Sequence, residues 1–125
     1  MKTSPGISET EWKIMKILWA KSPLLSGEIL SELQSDEPSW HPKTAQTLIG
    51  RLVKKGALGF RGKGRTYSYY PRVTEEDCVD KESQSFLERV FAGSLKPMLA
   101  HFVEHRKLSA KEISELKQIL EKGGR

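Results

Sequence analysis

Trp40-His41-Pro42-Lys43-Thr44-Ala45-Gln46-Thr47-Leu48-Ile49-Gly50-Arg51-Leu52-Val53-Lys54-Lys55-Gly56 is the stretch on which the fold turns. Pro42 suits a first helical turn, because the amide hydrogen it lacks has no intrahelical partner there. Gly56 supplies a left-handed stop. Between them Ala45, Leu48, Ile49 and Leu52 recur at helical spacing and form an inner face. The outer face is Lys43, Thr44, Gln46, Thr47, Gly50, Arg51 and Lys54, which combines hydroxyls, an amide and cations with no carboxylate. A merely solvated helix face normally mixes both signs of charge. This inventory suits DNA instead: Lys43 and Thr44 at the helix start can approach phosphate or base edges, Gln46 can read a base bidentately, and Arg51 and Lys54 can hold phosphates.

Upstream, Ser8-Glu9-Thr10-Glu11 has the form of a capping box. Trp12, Met15 and Trp19, widened by Ile14, Ile17 and Leu18, predict a first helix over about 8–21, ended by Ser22-Pro23. A second short helix is expected from Ser26 as N-cap, burying Ile29, Leu30 and Leu33 before Asp36-Glu37-Pro38-Ser39 breaks the pattern. Downstream of Gly56 the period changes. Leu58-Gly59-Phe60-Arg61 and Arg65-Thr66-Tyr67-Ser68-Tyr69-Tyr70-Pro71 are two extended runs joined by Gly62-Lys63-Gly64, which reads as a β-hairpin with a basic tip. Alternation puts Tyr67 and Tyr69 on one face and Tyr70 on the other, with packing beneath the hairpin the expected role. Three helices followed by a hairpin is the winged variant of helix-turn-helix. The expected fold class is mainly α with a small β-hairpin, an N-terminal winged helix-turn-helix followed by a helical dimerisation region.

Charge points the same way. The 125 residues carry 21 Lys and Arg against 16 Asp and Glu, a net charge of +5. Residues 1–72 hold 12 basic and 6 acidic side chains, and residues 73–125 hold 9 and 10, so the composition shifts near 71–74. We therefore expect a DNA-binding domain over 1–72 and a dimerisation domain over 73–125. From Glu37 to Glu75 no carboxylate intervenes, yet eight cations do: Lys43, Arg51, Lys54, Lys55, Arg61, Lys63, Arg65 and Arg72. One sign of charge over such a span implies a polyanionic partner, double-stranded DNA first and an anionic membrane surface second. No run approaches the roughly 20 apolar residues of a spanning helix. The N-terminus lacks the apolar core of a secretory signal, so a cytoplasmic protein without membrane insertion is expected. Cys78 is the lone cysteine, which excludes an internal disulfide and a multi-thiolate zinc site.

In the second half, Thr74 is an expected N-cap with Glu75, Glu76 and Asp77 behind it, and Gly93 an expected stop. A further segment covers about 94–105, and Ser109-Ala110-Lys111-Glu112 opens a last helix that Gly123-Gly124 ends. Phe86, Val90, Phe91, Leu95, Met98, Leu99, Phe102, Val103, Ile113, Leu116, Ile119 and Leu120 are more apolar positions than three short helices can cover within themselves. A homodimer resolves the excess, with Phe86, Val90, Leu95, Met98, Leu99, Phe102, Val103, Ile113, Leu116 and Leu120 as its contacts; docking back onto the winged helix is the alternative. Nothing in the chain has the form of a catalytic or phosphate-binding glycine motif, so no enzyme activity, catalytic residue, cofactor or metal site is expected. His101 and His105 are spaced i, i+4, but two ligands do not make a site.

Ile7-Ser8-x-x-Glu11-Trp12-x-x-Met15-x-x-Leu18-Trp19, Trp40-His41-Pro42-Lys43-Thr44 followed by Thr47-Leu48-Ile49-x-Arg51-Leu52-x-Lys54-Lys55-Gly56, and Tyr67-x-Tyr69-Tyr70 together resemble the penicillinase-repressor family of bacterial transcriptional regulators, over nearly the whole chain. The resemblance implies a homodimer whose winged helices each read half of an operator dyad, controlling a resistance or stress operon, in some members under a sensor-protease system that cleaves the dimerisation half. The family's cleaved Asn-Phe bond matches His101-Phe102 here, and the paired Cys-x-Cys motifs of its copper-responsive branch are absent. His41 stands where repressors of the family's β-lactam branch commonly have Ser, so the helix cap differs. The expected DNA contacts are Lys43, Thr44, Gln46, Thr47, Arg51 and Lys54 on the recognition helix, with Arg61, Lys63, Arg65 and Tyr67 on the wing. Two other readings use the same residues differently: a winged helix serving as a protein-interaction module, and a repressor that binds metal directly through His101, His105 and Cys78.

Overall fold

The computed structural model describes residues 5–63 and 66–123. The elements run α1 (Glu9–Ala20), β1 (Leu24–Leu25), α2 (Ser26–Asp36), α3 (Pro42–Lys54), β2 (Leu58–Arg61), β3 (Ser68–Pro71), α4 (Glu75–Phe91), α5 (Leu95–Glu104) and α6 (Ala110–Gly123). The chain is mainly helical, with a three-stranded antiparallel sheet in the order β1-β3-β2. It divides into two compact units that meet between Lys81 and Glu82, beyond the composition shift at 72/73. The first turns of α4 therefore belong to the first unit, where Cys78 is buried.

The first unit is a winged helix-turn-helix. Its α1 starts at a full capping box: the Ser8 hydroxyl accepts the Glu11 amide at 3.3 Å, and the Glu11 carboxylate accepts the Ser8 amide at 2.8 Å. Ile14, Met15 and Leu18 of α1 pack with Ile29 and Leu33 of α2 and with Leu48, Ile49 and Leu52 of α3 in one core, closed below by Ala57 and Leu58. The indole N–H of Trp19 donates to the Val73 carbonyl at 2.9 Å, tying α1 to the chain leaving the sheet.

Two local features differ from the sequence reading. The N-cap of α2 is Leu25 and not Ser26, which is the first residue of the helix. Leu25 is held in extended backbone by pairing with Ser68, and its amide donates to Glu28 at 2.8 Å, so half a capping box forms without a capping hydroxyl. That pairing makes Leu24–Leu25 a third strand, which the sequence did not reveal. The return strand of the hairpin is also shorter than expected: β3 begins at Ser68, and Tyr67 precedes it.

The third helix starts at His41, whose Nδ1 accepts the Lys43 amide at 3.1 Å, with Pro42 in the first turn. No acidic residue occupies that turn. Its end is a Schellman motif: Gly56 adopts φ +84°, the Ala57 amide bonds the Leu52 carbonyl at 2.9 Å, and the Gly56 amide bonds Val53 at 3.0 Å.

In the second unit, no residue from 82 to 123 is buried. Thr74 caps α4 through the Asp77 amide (3.1 Å), and left-handed Ala92 and Gly93 end it. Ser109 and Glu112 form the second full capping box, which opens α6.

Candidate nucleic-acid interface

At 100° per residue, Lys43, Thr44, Gln46, Thr47, Gly50, Arg51 and Lys54 occupy an arc of roughly 160° on α3, opposite the stripe of Ala45, Leu48, Ile49 and Leu52. Every residue of the arc is exposed and every residue of the stripe is buried. The side chains of Lys43, Thr44, Gln46, Arg51 and Lys54 make no hydrogen bond or ion pair among the described residues, so their polar groups face water uncommitted. Thr47 spends its hydroxyl hydrogen on the Lys43 carbonyl at 2.9 Å, which leaves it an acceptor towards any partner. A Cβ on Gly50 would meet open space. Packing therefore places no demand for glycine there, and its absence of a side chain keeps the middle of the arc low.

Lys55 departs from the rest of the basic run. Its ammonium pairs with the Glu11 carboxylate and donates to the Gly6 carbonyl at 2.9 Å. Glu11 is 1% exposed. Burial pushes its carboxyl pKa up, but the Lys55 contact and the two Ser8 hydrogen bonds outweigh burial and hold it below the ordinary value of 4.5. One of the eight cations counted between Glu37 and Glu75 is thus committed to a buried carboxylate of the first unit. Sequence reasoning had no signal for this, since the two partners lie 44 positions apart.

In the wing, Arg61 and Lys63 are exposed. Arg65 lies outside the described residues. The tip closes when the Thr66 amide and hydroxyl both donate to the Lys63 carbonyl, at 3.1 and 2.8 Å. Gly62 adopts φ +106°, and a Cβ on it would stand 2.7 Å from the Thr66 carbonyl oxygen, so this turn requires glycine. Tyr67 is half-buried with its ring 4.7 Å from that of Phe60, and Tyr69 lies 6.4 Å from the same ring. Burial, helped by Tyr67, pushes the Tyr69 phenol above its usual range. Tyr70 is on the opposite face with Arg61, whose guanidinium carbon is 4.9 Å from the ring centre. That pair was not singled out from the sequence, because it depends on the strand register.

The second unit carries an apolar surface. Phe86, Val90, Leu95, Val103 and Leu120 are exposed, and Met98, Leu99, Phe102, Ile113 and Leu116 are half-buried. Leu95, Leu99, Ala100, Val103 and Leu120 line an open groove of about 600 Å³, with Lys96 and Glu104 also on its walls. The rings of exposed His101 and His105 lie 4.1 Å apart, and the His105 Nδ1 is 2.9 Å from the His101 carbonyl. Among the described residues no group of three or more His, Cys, Asp or Glu is arranged to hold a metal ion, and no helix is long and apolar enough to cross a membrane.

Against known proteins, the family model described as penicillinase repressor matches residues 7–122. The penicillinase repressor of Bacillus licheniformis is 44% identical over 121 residues, covering 97% of this chain and 94% of that protein. The methicillin resistance regulatory protein MecI of Staphylococcus aureus (strain N315) is 39% identical over 116 residues, covering 93% and 94%. Among solved structures, the DNA-binding domain of the repressor BlaI in solution superposes with a TM-score of 0.54 at 42% identity, over 62% of this chain and 93% of that one. The monomeric form of B. licheniformis BlaI in complex with the blaP half-operator gives 0.51 at 42% identity, with the same coverage. A match that runs from the first helix to the last, joined to this winged-helix geometry, means that the chain belongs to the penicillinase repressor family.

Proposed function

We propose that this chain is a transcriptional repressor of a resistance operon that binds a dyad DNA operator as a homodimer in the cytoplasm. The observation that carries the reading is the α3 arc, a wholly exposed helix face with cations, hydroxyls and an amide and no acid. Its match to the DNA-binding domain of BlaI, and the half-operator complex of that protein, support it. Lys43, Arg51 and Lys54 neutralise phosphates, Gln46 reads a base edge, Thr44 and Thr47 supply hydroxyls, and Arg61, Lys63 and Arg65 place the wing on the backbone. Tyr67 acts within the wing by packing on Phe60. The function is binding, and no catalytic step is assigned to any residue.

We assign dimerisation to the second unit, whose apolar positions are left partly exposed in a single chain. Two linked half-site contacts gain effective concentration, so a monomer binds the dyad far more weakly than the dimer does. Release by a sensor-protease would act on that linkage. His101-Phe102, the pair matching the family's cleaved bond, is within α5, so cleavage there requires the helix to unwind locally.

The test is a fluorescence-anisotropy titration of a labelled duplex from the protein's own upstream region against a scrambled duplex, at two salt concentrations, with sedimentation alongside. The expected result is selective binding by a dimer. With the five described cations Lys43, Arg51, Lys54, Arg61 and Lys63 of each copy on phosphates, the slope of log K against log salt reaches about −9. Equal, weak binding of both duplexes would favour a protein-interaction module instead.

A further inference from the structure

We propose that Tyr70 is a positioning residue for DNA binding: its ring, laid across the bare backbone of Gly59, holds the Arg61 guanidinium in place for a phosphate. The inference rests on the DNA-binding reading above. Its starting point is the register of the hairpin, which pairs Gly59 with Tyr70 and Arg61 with Ser68. Directly paired residues of an antiparallel ladder share a face, and so do positions two apart on one strand. Gly59, Arg61 and Tyr70 therefore meet on the side of the sheet opposite Phe60, Tyr67 and Tyr69.

On that side the Tyr70 ring occupies the space where a side chain of residue 59 would begin. A Cβ built on Gly59 would lie 2.6 Å from both Cζ and Oη of Tyr70 and 2.9 Å from its Cε2. Gly59 has no positive φ to explain it. Its reason is the ring, which covers a strand position that would otherwise be a weak point in the ladder. With the ring fixed there, Arg61 places its guanidinium carbon 4.9 Å from the ring centre, inside the range of a cation–π contact.

The contact restrains a long, exposed side chain without using its donors. The Arg61 side chain makes no hydrogen bond or ion pair among the described residues, so its guanidinium N–H groups stay available. A free surface arginine loses rotamer freedom when it docks on a phosphate, whereas one already held over an aromatic ring loses less. Tyr70 thus contributes to affinity without touching DNA.

The experiment is a double-mutant cycle in the full-length protein, read by anisotropy on the duplex from its own upstream region, with melting temperature as the check on folding. Arg61→Ala is expected to weaken binding about 5- to 10-fold and to lower the salt slope by about 0.9 per copy. Tyr70→Leu is expected to weaken it about 3- to 5-fold, Tyr70→Phe to restore it, and the Arg61→Ala/Tyr70→Leu double variant to bind no worse than Arg61→Ala alone. Multiplying effects in the double variant, or wild-type affinity for a folded Tyr70→Leu protein, would overturn the proposal. Arg61→Lys decides the matter if Tyr70→Leu does not fold. It keeps the charge but exchanges the planar guanidinium for a mobile ammonium, and an undiminished affinity refutes the positioning role. A neutral Arg61→Ala in a wild-type background that binds the duplex selectively removes this inference and leaves the DNA-binding reading intact. Absence of any selective binding by wild type removes both.

Discussion

Replacing Lys55 with methionine is expected to destabilise the first unit at neutral pH while leaving the salt dependence of DNA binding unchanged. The carboxylate it faces, that of Glu11, belongs to a residue only 1% exposed and also accepts the Ser8 amide at 2.8 Å, while the Ser8 hydroxyl accepts the Glu11 backbone amide. Removing one partner of a fully buried ion pair costs about 3–5 kcal/mol, chiefly because a charge is left uncompensated. Here the Lys55 side chain is 34% exposed and the Ser8 amide remains bonded, which brings the figure to roughly 2 kcal/mol. For a unit of this size that is a drop in melting temperature of roughly 8–16 °C. The pH dependence has a definite sign. The folded Glu11 pKa is depressed, so its contribution is fully present above the unfolded carboxylate pKa and disappears as pH falls through the folded value. The gap between wild type and Lys55→Met is therefore widest at pH 7 and closes under acid conditions, where a protonated Glu11 no longer needs the ammonium. Urea denaturation of both proteins at neutral and acidic pH measures this. Equal midpoints at pH 7, or a gap that widens on acidification, would refute the account of Glu11 as a compensated buried charge. A salt slope reduced by about 0.9 per copy would show that Lys55 reaches phosphate after all.

Arg51→Ala should lower affinity for every duplex and reduce the salt slope by about 0.9 per copy, whereas Gln46→Ala should relax preference at one operator position at a cost of about 1–3 kcal/mol. Titrations against a set of single-base operator variants separate the two behaviours, and identical preference profiles for Gln46→Ala and wild type would remove Gln46 as a reader. Val103→Glu places a carboxylate in the apolar groove and should shift the protein towards monomer in sedimentation, with a parallel loss of binding to the full dyad but not to a half-site. Gly62→Ala should destabilise the wing, because φ +106° and the 2.7 Å approach to the Thr66 carbonyl both exclude a Cβ, and amide exchange of residues in β2 and β3 should report it.

What could be read from the sequence was what local chemistry decides. Pro42 and Gly56 bracket α3 because each satisfies a rule at its own position, and the division of α3 into a core stripe and an exposed arc follows from helical periodicity alone. Strand β1 was invisible for the opposite reason. Two leucines show no alternation, and they are a strand only because the edge of β3 is there to pair with them. That pairing also moved the α2 cap from Ser26 to Leu25, since a residue held extended by a neighbouring strand fixes where the helix can begin. Lys55 looked like its neighbours until the fold brought it to Glu11, and Tyr70 could not be matched to Gly59 before the hairpin register was known. Of the candidate site, the residues on one helix were legible together; those that depend on a long-range partner were not.

Among α1, α2, α3 and α4, only α3 has no acid in its first turn. A glutamate there would stabilise the helix by about 0.3–1 kcal/mol through the macrodipole, and Thr44 is an exposed position that could hold one. The fold forgoes that gain, and the same glutamate would repel the polyanion the helix is proposed to meet. The unbound protein is thus less stable than its own architecture permits, and a sequence optimised for thermal stability alone would drift towards losing its partner. If the proposed contact forms, phosphate at the start of α3 would supply the missing negative charge, and the helix would reach its greatest stability only when bound.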